Sequence, residues 1–380
     1  MGIATGGGAL GLYLTLSRHD YDLNALGFIR LGRAAYTVSI IIIITSCDTY
    51  NFNNLIAINF QVFNIGLYYK HTLYASKLDP KSVEYSELRT KVHRTAAEKL
   101  LDLCCANGGV YVKVGQHIGA LDYLVPHEYV QVMKVLHKDA PKSSLNSLLK
   151  VLKEDLKRDV SILTILIIIL RSISKKNFFP MQPNEIFDCF EEEPLGTASL
   201  AQVHRAKLKD GTVVAVKVQH PLVLRNSKVD MKTMEVLVKI MSAIFEEFDF
   251  QWLVDETKKN LPKELNFKLE GENAEKVQLL LKDFKWLKIP KIYWDLTTER
   301  VLTMEFTEGA QVTDLEYIKN LNINCIDLMS KLGELYSHMI FRHGFVHSDP
   351  HPGNILIHKN KSKGLDIVLL DHGLYAVSKQ

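Results

Sequence analysis

The sequence is short of several features that would place it quickly. Its five cysteines (Cys47, Cys104, Cys105, Cys189 and Cys325) fall in no metal or redox spacing. Adjacent Cys104 and Cys105 are poorly placed to grip one zinc, and an odd count leaves a disulfide framework incomplete, so free, mostly buried thiols are expected. Excess charge of one sign is missing too. Lys and Arg number 46 against 43 Asp and Glu, a net charge of +3. The basic residues are scattered as on solvated faces, which gives no nucleic-acid footprint and no nucleic-acid partner. Glycine is scarce where a phosphate loop would need it: the small-residue loop before the Val213 strand has only Gly196 and so carries no G-x-G-x-x-G. What remains is ordinary globular material: 380 residues, 47% hydrophobic and 23% charged, enough for one large core or two modest ones.

Three stretches stand apart. Met1 to Ser17 carries no charge and is rich in Gly, Ala and Leu. It approaches the ~20 residues of a bilayer span but lacks the basic start of a secretory signal and the Arg-rich amphipathic pattern of a transit peptide. Two readings stay open, a Gly-rich membrane anchor or a packed helix. Ile40 to Ile44 is a run of isoleucines. The Thr49 to Tyr69 segment after it is uncharged, but Asn51, Asn53, Asn54, Asn59, Gln61 and Asn64 make it a costly span. Val160 to Leu170 is a second Ile-rich run, too short to span, that interrupts the amphipathic pattern begun at Leu145 to Asp159. Both runs combine high β-propensity with low charge. They read either as buried helices or, the favoured expectation, as non-homologous inserts such as translated intron sequence.

Elsewhere the periodicity is regular. Leu88, Val92, Ala96, Leu100 and Leu103 predict a helix over 87–105, stopped by Asn107-Gly108-Gly109. Helices are expected over 111–124, 129–136, 231–245, 263–281 and 328–341. Val213 to Val218, Val301 to Phe306, Ile355 to His358 and Asp366 to Leu370 read as strands. The fold class is therefore α+β and two-lobed.

The chemistry is concentrated in a few places. His347-Ser-Asp349-Pro-His351-Pro-Gly-Asn354 has H-x-D-x-x-x-x-N spacing. An apolar strand then delivers Asp371-His-Gly373. This pair serves phosphoryl transfer in kinase-type folds, with Asp349 at the accepting group and Asn354 and Asp371 on Mg²⁺. Asp-Pro and Pro-Gly-Asn are also ordinary turn residues, but turn chemistry does not account for a second Asp-x-Gly after an apolar strand. Val214-Ala-Val-Lys217 matches the pattern in which a strand lysine reaches the nucleotide's α- and β-phosphates. A lysine in so apolar a run needs a counter-charge, and Glu270 is the candidate. Before it, Gly196, Thr197, Ala198 and Ser199 are small enough for backbone N–H groups to approach a triphosphate, although a small-residue turn would look the same. Glu305, closing the 301–306 strand, is placed with the nucleotide. His343, His347 and His351 have helical spacing for a metal, but Gly344, Pro350 and Pro352 forbid a continuous helix there. Ser348 stands where protein kinases carry Arg, so control by activation-loop phosphorylation is not expected.

Taken together these residues resemble the UbiB family of atypical kinases, the aarF-domain-containing kinases. The distinguishing marker is Lys113-Val-Gly115-Gln116, the family's K-x-G-Q motif. Ala201-Gln-Val-His204 fits as well, and Glu264-Leu-Asn266 stands where the family has E-x-D. The wording of 195–204 and 369–375 is most similar to the family's mitochondrial branch. The resemblance implies an atypical protein-kinase-like fold with an N-terminal helical extension, its K-x-G-Q helices packed over the place of a peptide substrate. It implies pairs Lys113–Glu264 and Lys217–Glu270, and ATP with Mg²⁺ as ligand. ATPase, small-molecule or lipid-linked action is favoured over protein phosphorylation in trans. Mitochondrial, inner-membrane-associated work in lipid or quinone homeostasis would follow. A kinase-fold scaffold without catalysis is the alternative; a phosphotransferase of the aminoglycoside-kinase type is opposed by Lys113-Val-Gly-Gln116.

Two departures qualify this. Asn266 lacks the carboxylate of the family motif. Asp371 lies nine residues from the C-terminus, so a truncated C-lobe is expected, in a chain poorly stable or inactive by itself. The expected organisation is an apolar segment at 1–37, an insert or linker at 38–79, the helical extension at 80–160, the Ile-rich insert at 161–184, an N-lobe at 185–310 and an incomplete C-lobe at 311–380.

Overall fold

A computed structural model describes residues 62–137, 140–156, 186–244, 250–359 and 364–378. The apolar segment 1–37, the isoleucine run at 40–44 and the Ile-rich run at 161–184 lie outside the described residues, as does Cys47. The chain divides into two compact units, one of residues 1–107 with 233–250 and the other of 108–232 with 251–380.

In the first unit a helix over 62–69 runs into a π turn, Lys70–Tyr74, and is followed by α1, Val83–Asn107. The Ser82 hydroxyl accepts from the Tyr85 N–H at 3.1 Å and starts α1. Val92, Ala96, Ala97, Leu103 and Cys104 form its buried stripe. Burial, aided by the neighbouring Cys105, pushes the Cys104 thiol up to about 12, which leaves it an inert packing residue. Among the described residues no helix is long and apolar enough to cross a membrane.

The second unit opens with α2 (Gly109–Ala120), α3 (His127–Met133), a 3₁₀ turn at Lys134–His137 and α4 (Leu145–Leu156). An antiparallel sheet follows, built from β1 (Phe187–Phe190), β2 (Gly196–Thr197), β3 (Ala201–Leu208), β4 (Val213–Gln219) and β6 (Val301–Glu305). Its order is β1-β3-β4-β6, with β2 also on β3. The two-residue period of β4 decides where the lysine goes. Val214, Val216 and Val218 are fully buried against Leu148, Leu149, Val151 and Leu152 of α4. Lys217 therefore points to the opposite face. Arg300, just before β6, binds Asp155 and Glu154 of α4 and fixes that helix on the sheet.

Three helices come between β4 and β6 in the chain: α5 (Val223–Ile244), α6 (Gln251–Glu264) and α7 (Phe267–Leu280). The helix expected over 263–281 is in fact two. The chain breaks at Leu265–Asn266, where Asn266 is extended and its side-chain oxygen accepts from the N–H groups of Lys268 and Leu269. Leu265 keeps the apolar period across the break, which is why periodicity alone reads straight through it. The helix expected to reach 124 stops at Ala120 and gives way to turns.

The remaining elements are β5 (Leu287–Lys288), β7 (Ala310–Gln311), α8 (Leu315–Asn320), α9 (Cys325–Ser337), β8 (Phe345–His347), β9 (Ile355–Lys359), β10 (Leu365–Leu369) and β11 (Tyr375–Val377). β9 and β10 form an antiparallel hairpin inside the order β5-β10-β9-β7, and β8 pairs with β11. Ile357, Ile367 and Leu369 of this hairpin are fully buried with Leu335 and Met339, in the same cluster as Phe267, Ala274 and Val277 of α7. At about 1.5–3 kcal/mol for each large side chain withdrawn from water, this cluster fixes the height at which the hairpin ends. Those ends carry Asn354 and Asp371.

Candidate active site

Lys217 is the centre of the site. Its Nζ lies 2.8 and 2.9 Å from the two carboxylate oxygens of Glu270 and 3.2 Å from Oδ1 of Asp371. The side chains of Lys217 and Glu270 are 11% and 3% exposed, while that of Asp371 keeps 38%. Two carboxylates thus share one cation, Glu270 away from water and Asp371 at its edge. Burial opposes the charge on Lys217, but Asp371 and Glu270 outweigh it and hold the ammonium well above its ordinary range. Burial pushes Glu270 up to about 7 even against the attraction of Lys217, with Asp371 adding repulsion. Asp371 goes the other way. Its burial is overcome by Lys217 and Lys113, which keep it ionised far below the usual carboxylate range.

The backbone of Asp371 is unusual. Its φ is +55°, in the left-handed region that a non-glycine residue enters at a cost of about 1–2 kcal/mol. Asn273 Nδ2 donates to the next carbonyl, that of His372, at 2.9 Å. The buried His372 ring meets the Tyr375 hydroxyl at 2.8 Å and the Leu369 carbonyl at 3.1 Å.

Asp349 is exposed at the end of β8. Asn354 Nδ2 donates to its carbonyl at 3.2 Å and its Oδ2 at 3.4 Å. The Leu370 N–H donates to the Asn354 carbonyl at 2.8 Å, tying the two metal-candidate residues together. His347 braces the arrangement from beneath. It is 2% exposed, its Nδ1 accepts from the Asp349 N–H, and its Nε2 faces the Leu370 carbonyl at 3.3 Å. His343, His347 and His351 lie on three different elements, the π turn, β8 and the turn before Asn354.

The K-x-G-Q residues contribute unequally. Lys113 Nζ pairs with Glu264 at 2.7 Å, with side chains 17% and 13% exposed. Asp349 and Asp371 also act on its charge, which places this cation within electrostatic reach of both acids. Gly115 is buried within α2. Gln116 is a structural tie: Nε2 donates to the Leu136 carbonyl, and its own carbonyl meets His137 Nε2, both at 3.0 Å. The His137 ring then stacks on that of His351, with centroids 5.5 Å apart and planes 8° from parallel. Asn266 caps α7, a task an amide oxygen performs as well as a carboxylate.

Gly196 and Thr197 form β2, and Ala198 turns the chain back, its N–H donating to the Ala201 carbonyl at 2.8 Å. Nothing lies within 4 Å of where a Gly196 side chain would begin, and Ser199 is buried behind the turn. The Thr197 hydroxyl is buried with no hydrogen-bond partner among the described residues. Glu305 closes β6 with its carboxylate 2.7 Å from Lys288 Nζ and its N–H on the Lys291 carbonyl. The residues that spacing did not reveal are Asn273, His347 as a brace, His372, Tyr375 and His137. Each acts through a hydrogen bond or ring contact to a residue remote in sequence or through a backbone group, and neither carries a spacing signature.

The oxygens available suit a hard cation. Asn354 engages through its amide nitrogen, which frees Oδ1, and Asp371 is ionised. Among the described residues no group of three His, Cys, Asp or Glu could hold a metal unaided. One carboxylate and one amide oxygen, completed by phosphates and water, is the donor set Mg²⁺ uses at nucleotides.

A family model described as the ABC1 atypical kinase-like domain matches residues 170–380. AarF domain-containing kinase 1 of Drosophila melanogaster is 50% identical over 362 residues, covering 95% of this chain and 61% of its own length. AarF domain-containing protein kinase 1 of Mus musculus is 44% identical over 370 residues, covering 97% of this chain and 61% of its own. The solved complex of Rv3197 with erythromycin from Mycobacterium tuberculosis is 23% identical, covers 77% of this chain and 67% of its own, and superposes with a TM-score of 0.46. The chain spans about six tenths of the length of these curated relatives.

Proposed function

We propose that this chain, which belongs to the ABC1 atypical kinase-like family, binds ATP with Mg²⁺ and directs its γ-phosphoryl group to water or a small or lipid-linked acceptor. The observation that carries the reading is the position of Lys217 between Glu270 and Asp371, at the end of a hairpin that also presents Asn354, with Asp349 held to it. Lys217, oriented by Glu270, supplies a fixed positive charge for the α- and β-phosphates. The small-residue turn over 196–199 lets phosphate oxygens approach the backbone at Gly196, where a side chain would meet nothing within 4 Å. Asn354 and Asp371 would hold Mg²⁺, which when bound neutralises charge on the transferring phosphoryl group. Asp349, exposed and held by Asn354, orients the acceptor and takes its proton.

A peptide acceptor is disfavoured. Lys113 on α2 is paired to Glu264 and acts on the charge of Asp349, so the K-x-G-Q helix occupies ground beside the acceptor residue. A compact or lipid-like acceptor fits that restriction better. We further place the protein at a mitochondrial membrane, in lipid or quinone homeostasis and inner-membrane organisation, on its likeness to the family's mitochondrial branch. Catalysis and a nucleotide-gated scaffold are separated in cells lacking the protein, by comparing rescue of mitochondrial morphology by wild type and by Asp371→Asn at matched levels. Loss of rescue supports catalysis; full rescue by the variant would replace it with the scaffold.

A further inference from the structure

We propose that Asn273 is a positioning residue of the metal side of this site, fastening the Asp371 turn to the helix that carries Glu270. The inference rests on the Mg²⁺-nucleotide reading for its functional consequence and on the geometry alone for its structural one. Glu270 and Asn273 are three apart on α7, so their side chains leave one face of the helix. Glu270 reaches Lys217, and Asn273 reaches the His372 carbonyl at 2.9 Å. One turn of helix therefore grips both halves of the site.

The need for such a grip follows from the backbone. Asp371 sits at φ +55°, and a residue with a side chain stays there only if its surroundings insist. Three polar contacts hold the next residue: Asn273 on its carbonyl, Tyr375 on Nδ1 and Leu369 on Nε2. The Leu369 carbonyl can only accept, so Nε2 carries the proton and Nδ1 accepts from the Tyr375 hydroxyl. Tyr375 and Leu369 belong to the same local stretch as Asp371. Asn273 is the contact of the three that comes from another element, 99 residues away. It is also a poor choice for a helix interior, where Asn ranks well below Ala, Leu or Glu. A specific polar contact accounts for it. With the bond in place, a displacement of α7 would move Glu270 and the Asp371 turn together, so the phosphate-side lysine and the metal-side carboxylate keep their spacing.

The test uses the full 380-residue chain and two near-isosteric variants, Asn273→Asp and Asn273→Leu, neither of which can donate to the His372 carbonyl. A fluorescent ATP analogue is titrated at increasing Mg²⁺. The expected result is a rise of about tenfold in the Mg²⁺ concentration for half-maximal binding, with metal-free nucleotide affinity within about twofold of wild type. A general structural role would lower both affinities together, and that outcome, or an unchanged Mg²⁺ midpoint, overturns the proposal. Hydrogen exchange without nucleotide supplies the independent arm. Amides of peptides spanning 369–376 should exchange at least about tenfold faster in Asn273→Leu, while those of β4 keep their protection. If wild type binds no nucleotide but exchange behaves so, the nucleotide reading fails and the positioning role stands. If exchange over 369–376 is unchanged, the positioning role fails whatever the nucleotide does.

Discussion

Replacing Lys217 by Met removes the one cation that two inward-facing carboxylates share. Glu270 is 3% exposed and has no other cation within bonding distance among the described residues, so it must take up a proton or stay charged against a large desolvation cost. Breaking a buried pair from one side costs about 3–5 kcal/mol. Loss of the ammonium over the Phe267 ring, 5.1 Å away, adds about 0.5–1 kcal/mol. Asp371 contributes less, because its side chain is 38% exposed and keeps some water. Adding Glu270→Leu to Lys217→Met removes the stranded charge and fills its volume, so most of the loss should return, to within about 1–2 kcal/mol of wild type. The assay is urea denaturation of the three proteins followed by tryptophan fluorescence, with ATP and Mg²⁺ protection measured alongside. Stability should recover in the double variant while protection by ATP stays absent. A single variant costing under about 1 kcal/mol, or a double variant no more stable than the single, would refute the shared-cation argument.

Two further outcomes are expected. Asp230 on α5 has no ion-pair partner among the described residues, and burial pushes its carboxyl from 3.8 up to about 7. A carboxyl raised by folding holds its proton more tightly in the native state, so it costs stability as pH climbs from about 4 to about 7. Because Asp230 is only half-buried, Asp230→Asn should gain about 1–2 kcal/mol at pH 8 and almost nothing at pH 4, read from urea midpoints at the two pH values. Asn266→Ala should cost about 1 kcal/mol through loss of the α7 cap, and Asn266→Asp should leave stability within about 0.5 kcal/mol of wild type, as thermal unfolding can check.

The parts of the site that spacing reveals are those whose chemistry fixes both residue type and interval. Core packing does not call for Lys217 inside a β-branched run, and turn formation does not call for a second Asp-x-Gly, at Asp371, after an apolar strand. The structure joins Lys217 to Glu270 and Lys113 to Glu264, the two pairs the family likeness implied. The alternation of β4 likewise put Lys217 opposite three buried valines. The supporting shell was not legible. Asn273 and His372 are 99 residues apart, and His137 meets a ring 214 positions later, so no local period links them. The end of α6 was hidden because Leu265 continues the apolar stripe and Asn266 lacks the Glu or Gln three residues on that would announce a capping box. No spacing announces that the Glu305 carboxylate pairs with Lys288 at 2.7 Å. Such pairings are decided by tertiary packing, which puts a lysine of β5 beside the end of β6.

Lys217, Glu270, Asn354 and Asp371 together either bind a metal-nucleotide or do not. Calorimetric titration of ATP into the 380-residue chain, with Mg²⁺ and with a chelator, for wild type and Asp371→Asn, asks this directly. One site per chain that Mg²⁺ strengthens, with that strengthening lost in Asp371→Asn, is the result predicted. ATP binding of equal strength in the variant, or equal with and without the metal, would contradict it.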